Sequence, residues 1–239
     1  MLLTRDEERN LPRALTSLPR GVKILVVDAY SGDHTVQFAR ASGAEVLQRE
    51  WTDFLDARRF AAGRVTTPWT LMVDADEALD DVLREAIVSA PDNLDGYVVR
   101  RTTYFCGRPM RLWRDEPLLR LFRTGRARLE TRPVTASDAP LHEAWVCDGE
   151  SAALPGTLLH FSYPDIATYR AKYDHYTSME AARLTSTPAK ALRVYAVSLV
   201  RAAWLLFARG AILDGPRGWY VAVRSAFYPA VVNVKALLR

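Results

Sequence analysis

Apolar positions in the first part of the chain follow two alternating rhythms. Continuous apolar runs occupy residues 1–4, 22–28 (VKILVVD), 44–47 and 69–74 (WTLMVD); between them, segments 7–17, 33–42 and 54–65 carry apolar residues at three- and four-residue spacing. The first rhythm belongs to strands and the second to amphipathic helices, so the order predicts a parallel sheet wound with helices. The second and fourth runs end in Asp after unbroken apolar stretches, as expected of central strands buried on both faces. Asp33 is placed to cap the helix that follows it.

Beyond residue 76 the alternation fades. A helix is predicted at 80–89, then strands at 96–101, 118–123 and 158–161, in a half that should mix sheet and loop. From residue 165 the pattern turns helical, running to about 184, from about 189 to 208, and again after Gly215-Pro216. Pro188 and the Gly215-Pro216 pair supply the breaks.

At 49% hydrophobic and 25% charged, the 239 residues have too much apolar content for disorder and no fibrous period. The net charge of +4 divides unevenly: residues 189–239 carry +7 and the remainder −3. On a helical wheel Lys190, Arg193, Arg201 and Arg209 share one arc, opposite Leu192, Tyr195, Ala196, Leu199, Ala203, Leu206 and Phe207. Trp204, Trp219, Tyr220, Phe227 and Tyr228 add interfacial aromatics. That composition suits a helix lying on an anionic membrane surface, and the alternative is that the apolar arc packs on the rest of the chain or on a second subunit. Three arginines interrupt residues 191–213, each costing about 2.5–3.5 kcal/mol at mid-bilayer, so the segment reads as non-spanning. A nucleic-acid partner is disfavoured because the larger part of the chain is net acidic. Cys106 and Cys147 form neither a zinc motif nor a disulfide framework, and no apolar leader follows Met1, so a reducing cytosol is the expectation.

The sharpest chemical feature is Asp74-Ala75-Asp76-Glu77, three acids directly after an apolar strand. Ligands of open α/β sheets bind beyond the carboxyl ends of strands, and Asp28 and the Asp6-Glu7-Glu8 run stand at two further strand ends. Clustered carboxylates are costly unless a cation neutralises them, which points to Mg²⁺ or Mn²⁺ shared with a diphosphate. The alternative is an acidic loop that caps the helix from residue 80.

The stretches TRDEERNLPRAL, VVDAYSGDHTVQFARASGAEV and WTLMVDADE resemble the signatures of family 2 glycosyltransferases, which have a GT-A fold. RRTTYFCGR (100–108), LLRLFR (118–123), LHE (141–143) and LHFSY (159–163) extend the likeness to bacterial enzymes of the lipopolysaccharide inner core. The resemblance implies an α/β fold with a Rossmann-like, mostly parallel sheet flanked by helices, followed by C-terminal amphipathic helices. It implies a catalytic domain over residues 1–164, with a nucleotide-sugar half to about 90 and an acceptor half after it, then a helical region over 165–239.

By the same resemblance, Glu7, Asp28 and Asp74 hold the nucleotide-diphospho-sugar and Asp76 a divalent metal, Mg or Mn. The implied reaction is inverting transfer to a glycolipid or lipid-anchored saccharide, at the inner face of the cytoplasmic membrane. The preferred base is Glu143 in LHEAW, with His142 beside it on the acceptor or phosphate side and Asp115 and Glu116 in reserve. Arg120 and Arg123 are read as guanidinium groups for a diphosphate or anionic acceptor. His160 is read as a core hydrogen-bonding residue, and His34 and His175 belong to no constellation. Departures from the family pattern are Asp6 in place of Asn, Arg59 at a nucleotide-side position where relatives carry Asn, and a short first strand. Transfer to polyprenyl phosphate, or a basic nucleic-acid-binding module, are the alternative functions.

Overall fold

The structure is a computed structural model that describes residues 1–132 and 142–239. The chain divides into two compact units, each taken by itself below. The first gathers Met1–Thr102, Asp115–Glu130 and Glu143–Ser162; the second is built from Thr103–Arg114 and Tyr163–Arg239.

The predicted strand and helix alternation is present at the start: β1 (Leu2–Thr4), α1 (Leu11–Ser17), β2 (Leu25–Asp28), α2 (Thr35–Ala41), β3 (Glu45–Gln48), α3 (Phe54–Ala62) and β4 (Trp69–Leu71). The regular helix α1 starts later than its periodicity suggests, because residues 7–10 form a turn closed by Asn10 N donating to Glu7 O. Asp33 lies one residue before the α2 cap position, which His34 holds. Its carboxylate still accepts from Thr35 N at 2.9 Å, and from Glu8 N at 3.1 Å. Asp53 caps α3 by accepting from Asp56 N.

β5 (Glu77–Leu79), α4 (Asp81–Val88), β6 (Gly96–Phe105), β7 (Arg108–Pro109), β8 (Glu116–Arg123), β9 (Ala127–Arg132), β10 (His142–Cys147) and β11 (Ser151–Tyr163) follow. Periodicity does not announce β5, β7, β9 or β10. Asp80 caps α4 through Leu83 N at 2.7 Å.

β1, β2 and β3 are parallel, with Thr4 opposite Asp28 and Asp28 opposite Gln48. Met1 N donates to Leu71 O at 2.7 Å and Val73 N donates to Met1 O at 3.2 Å. One residue bonding to both neighbours of its opposite number is the parallel pattern, so β1 lies along the end of β4. Beyond β4 the order is β4, β8, β6, β11, β5; β4–β8, β8–β6 and β11–β5 are antiparallel, while β6 and β11 run parallel, with Asp95 N donating to Glu150 O and Cys106 N to Tyr163 O. The result is a mixed sheet, parallel through β3, β2, β1 and β4 and of both senses beyond it.

This order constrains the segment from β4 to β5. Four strand spacings amount to about 19 Å in a flat sheet. Residues 72–76 contain a tight turn, with Glu77 N donating to Asp74 O at 2.9 Å, and so fall short of that span. The sheet must curl, and the acidic turn must cross over β8 and β6.

Alternation along the strands builds a core on each face. Leu2, Leu11, Val26, Val73, Leu83, Val99, Leu121 and Leu158 fill one, and Met72, Phe122, Leu129 and Trp145 the other. Each large apolar side chain contributes about 1.5–3 kcal/mol on burial. β11 bends at Gly156, where φ is +90° against the first turn of α4.

The second unit holds α5 (Ile166–Arg183), α6 (Pro188–Ala203) and α7 (Gly215–Leu237). A π-turn over Trp204–Ala208 and a 3₁₀ turn over Ala211–Asp214 join α6 to α7. Phe105, Met110, Tyr169, Tyr173 and Val221 form an aromatic core, while Ala202, Leu205, Leu206, Ala211, Ala222 and Ala226 form a small-residue seam. α6 turns this seam inward and leaves its larger apolar residues in solvent: Leu192 is 71% exposed, Val200 73% and Phe207, just beyond it, 68%. Together with the π-turn, α6 is long and apolar enough to cross a membrane by length and composition.

A Cβ at Gly156 would lie 2.6 Å from Leu83 Cα and 2.7 Å from Asp80 Oδ1. Gly156→Ala should therefore cost about 2–5 kcal/mol in urea denaturation, from left-handed strain plus overpacking. Gly21→Ala, at φ +77° in open space, should cost only about 1 kcal/mol. Equal losses at the two sites would refute the packing assignment.

Candidate active site

β1 and β2 deliver their following loops side by side, and the loops are laced together. Asp6 N donates to Ser31 Oγ at 2.9 Å, and Gly32 N returns to Asp6 Oδ1 at 2.8 Å. Glu7 N donates to Thr35 Oγ1 at 2.8 Å, while the Glu7 carboxylate accepts from Asn10 Nδ2 at 2.8 Å. Asp28 is fully buried. Its carboxylate accepts from Thr4 Oγ1 at 3.1 Å, Ser31 N at 3.0 Å, Gln48 Nε2 at 3.2 Å, and the Ser31 hydroxyl. Four donors match the capacity of one carboxylate, so Asp28 pins the loop. Asp6 and Tyr30 both have positive φ, 52° and 54°, in backbone that this lacing holds.

The acidic turn is held by arginines rising from beneath it. Arg120, buried in the middle of β8, donates from Nη2 to Asp74 Oδ2 at 3.0 Å and to Glu77 Oε1 at 2.6 Å. Arg101 of β6 reaches the same Glu77 oxygen at 3.1 Å and Glu116 at 2.6 Å. Arg58 of α3 approaches Asp74 Oδ1 at 3.3 Å. The second Glu77 oxygen accepts from Asp74 N at 2.9 Å. Burial by itself would raise the Asp74 carboxyl; Arg120, Arg58 and Arg101 overcome it and hold the group well below the usual carboxylate range. Burial would lower the Arg101 and Arg120 guanidinium groups, but Glu77 leads the charges that push both above their ordinary value.

The expectation that all three acids await an external cation therefore needs correction. Asp74 and Glu77 are neutralised by arginines of the chain itself. Asp76 faces elsewhere: its Oδ2 is 3.3 Å from His160 Nε2, and its backbone oxygen accepts from Phe161 N at 2.8 Å. His160 thus stands beside the acid expected to bind metal, rather than in a core apart from it. Among the described residues no group of three or more His, Cys, Asp or Glu side chains is arranged for a metal. One carboxylate oxygen and one imidazole nitrogen nevertheless suit an ion that takes its other ligands from substrate phosphates and water.

Other expected residues fall differently. Arg59 is exposed, whereas Arg58, about 100° away on the helix, reaches the rim. Arg120 is engaged beneath the turn rather than offered to a phosphate. Arg123, opposite Trp69 at the far end of β4, donates to Leu94 O at 3.0 Å and Asp92 O at 2.8 Å, so the structure does not bring it to the acidic rim. Glu116 is tied to Arg101, and Asp115 is exposed with φ 59°. The backbone of His142 and Glu143 opens β10, and their side chains lie outside the described residues. Arg58 carries no motif of its own, and Arg101 lies within the RRTTYFCGR stretch without a role assigned to it there.

Arg120→Met should remove the cation shared by Asp74 and Glu77. Breaking a buried ion network costs about 3–5 kcal/mol, measurable by urea denaturation at neutral pH. A depressed folded pKa gives Asp74 a stabilising contribution that is full above the unfolded value of 3.8 and is lost as pH falls below it. The gap between wild type and variant should therefore narrow below pH 3.8. A gap that stays constant through that acid range would count against the assignment.

Comparison with known proteins places this site in context. Residues 2–145 match the family model described as glycosyl transferase family 2. The whole chain is 27% identical, over 91% of the relative, to the lipopolysaccharide core biosynthesis glycosyltransferase LpsC of Rhizobium meliloti. A stretch covering 41% of the chain is 33% identical to an uncharacterized glycosyltransferase of Rickettsia typhi, of which it spans 34%. Among solved structures, S. aureus TarS aligns at 19% identity and TM-score 0.38, over 52% of this chain and 27% of that one. Glucosyl-3-phosphoglycerate synthase from Mycobacterium tuberculosis, in complex with Mn²⁺, uridine-diphosphate and glucosyl-3-phosphoglycerate, aligns at 19% and 0.36, over 43% and 42%. With the family model spanning more than half of its length, the chain belongs to glycosyl transferase family 2.

Proposed function

We propose that the protein transfers a sugar, with inversion, from a nucleotide-diphospho-sugar to a lipid-anchored saccharide of the lipopolysaccharide-core type. The observation that carries this reading is the division of labour in the acidic turn. Two of its acids are locked by arginines, while Asp76 faces His160 at the rim. Asp76 and His160 would hold a divalent ion, which supplies charge neutralisation for the diphosphate leaving group.

The chain's own residues do the rest. Glu7 and the ionised Asp74 line the donor side, and Asp28 acts by fixing the loop that frames it. Glu143 is the assigned base: it takes the proton of the acceptor hydroxyl, whose oxygen then bonds to the anomeric carbon as the bond to the diphosphate breaks. Attack from the face opposite the leaving group inverts the configuration.

The assigned acceptor side includes a membrane. The large residues that α6 turns outward, flanked by Lys190, Arg193 and Arg201, make an amphipathic face suited to an anionic bilayer. Its place is the cytoplasmic face of the inner membrane.

Thermal shift with candidate nucleotide-sugars, with and without Mn²⁺, tests the donor reading. A ligand at about 100 times its dissociation constant adds about 2.7 kcal/mol. Asp76→Ala should lose the Mn²⁺-dependent increment and keep the fold, and a variant retaining that increment in full would remove Asp76 from the site. For the membrane, wild type should co-float with phosphatidylglycerol vesicles at low salt, and Leu192→Ser/Phe207→Ser should float at least about tenfold less. Absence of wild-type flotation would end the membrane assignment.

A further inference from the structure

The second unit contains a cavity of about 590 Å³ lined by Arg108, Pro109, Met110 and the run from Leu213 to Arg217. None of these residues belongs to the acidic rim. Its charges are unbalanced. Asp214, the acid in its wall, is engaged by Arg111: Oδ2 accepts from the Arg111 backbone N–H at 2.8 Å, and Oδ1 lies 3.6 Å from Arg111 Nε. The guanidinium groups of Arg108 and Arg217 have no hydrogen-bond or ion-pair partner among the described residues. A sphere of this volume is about 10 Å across, close to the Debye length, so the two cations feel one another and favour an anion between them.

The remaining lining identifies the kind of anion. Met110, Leu213 and Pro216 give the cavity apolar walls. Leu213 is itself 69% exposed, in a stretch where Trp204, Phe207, Ile212 and Trp219 are also exposed. A soluble anion has no use for this surround; an anionic amphiphile does, placing its headgroup between the arginines and its chains along the apolar residues.

We propose that this cavity seats the phosphate of an anionic membrane lipid headgroup. The proposal rests on the membrane reading above and sharpens it, turning diffuse attraction into a defined contact. Arg108 and Arg217 would each donate charge-assisted hydrogen bonds to phosphate oxygens, a geometry that guanidinium supplies well.

Vesicle co-flotation of the full chain tests it, using phosphatidylcholine vesicles with and without phosphatidylglycerol. Arg108→Gln/Arg217→Gln removes the cavity charges, and Lys190→Gln/Arg193→Gln removes the same charge from the exposed flank of α6. Diffuse attraction is worth about a fivefold change per basic residue wherever it sits on the docked face. The cavity reading expects the Arg108/Arg217 variant to lose at least about tenfold more partitioning than the α6 variant. Equal losses overturn the cavity and leave the membrane face standing; no flotation of wild type overturns both. Inorganic phosphate, titrated without lipid at constant ionic strength, gives the remaining arm. If it stabilises wild type through Arg108 and Arg217 while the double variant floats normally, the cavity takes a soluble anion and the lipid assignment fails. A dimer of wild type that dissociates in the Arg108/Arg217 variant, seen by size-exclusion chromatography, would overturn it in favour of a second copy of the chain.

Discussion

A single guanidinium in the middle of an apolar strand sustains the acidic rim. Arg120 sits where β8 is otherwise leucine and phenylalanine, and its Nη2 reaches Asp74 and Glu77 together. The chain between β4 and β5 must cross β8 and β6, and a turn with three acids would be repelled by its own charge there. Arginines rising from those two strands, with Arg58 from α3, make the crossing possible. Because the pairs are buried, neither partner can be removed cheaply, and the turn is held in one geometry. The third acid, Asp76, is not held by these arginines and lies instead 3.3 Å from His160.

The second unit obeys a different constraint. Its helices meet through alanines and a few leucines, which lets α6 and α7 pack closely, and close packing along that seam rotates the bulky residues of α6 into solvent. An exposed apolar stripe of this kind is unusual on a surface that meets only water. Arg108 and Arg217, without an ion-pair partner among the described residues, give the cavity a preference of charge. Apolar cover and an anionic complement are the two features on which the proposed bilayer contact rests.

Several elements were legible because their signals are local. The alternation of strand and helix through residue 71 and the breaks near Pro188 and Gly215 follow from side chains within a few positions of one another. β5 escaped because its antiparallel pairing recruits a partner far along the chain, with Glu77 opposite His160. Arg58 and Arg59 are indistinguishable to composition, and the rotation of α3 alone chose between them.

By itself the sequence determined the α/β order of the first half, the three acids at a strand end, the family motifs and the division of charge between catalytic and helical segments. Tertiary structure alone decided that Asp74 and Glu77 are neutralised from within, that Asp76 meets His160, that Arg123 points away, and which arc of α6 meets solvent. The reason is range: Arg120 lies 46 residues from Asp74. Periodicity reports which face of an element is apolar, whereas pairing and exposure depend on what the fold lays against that face.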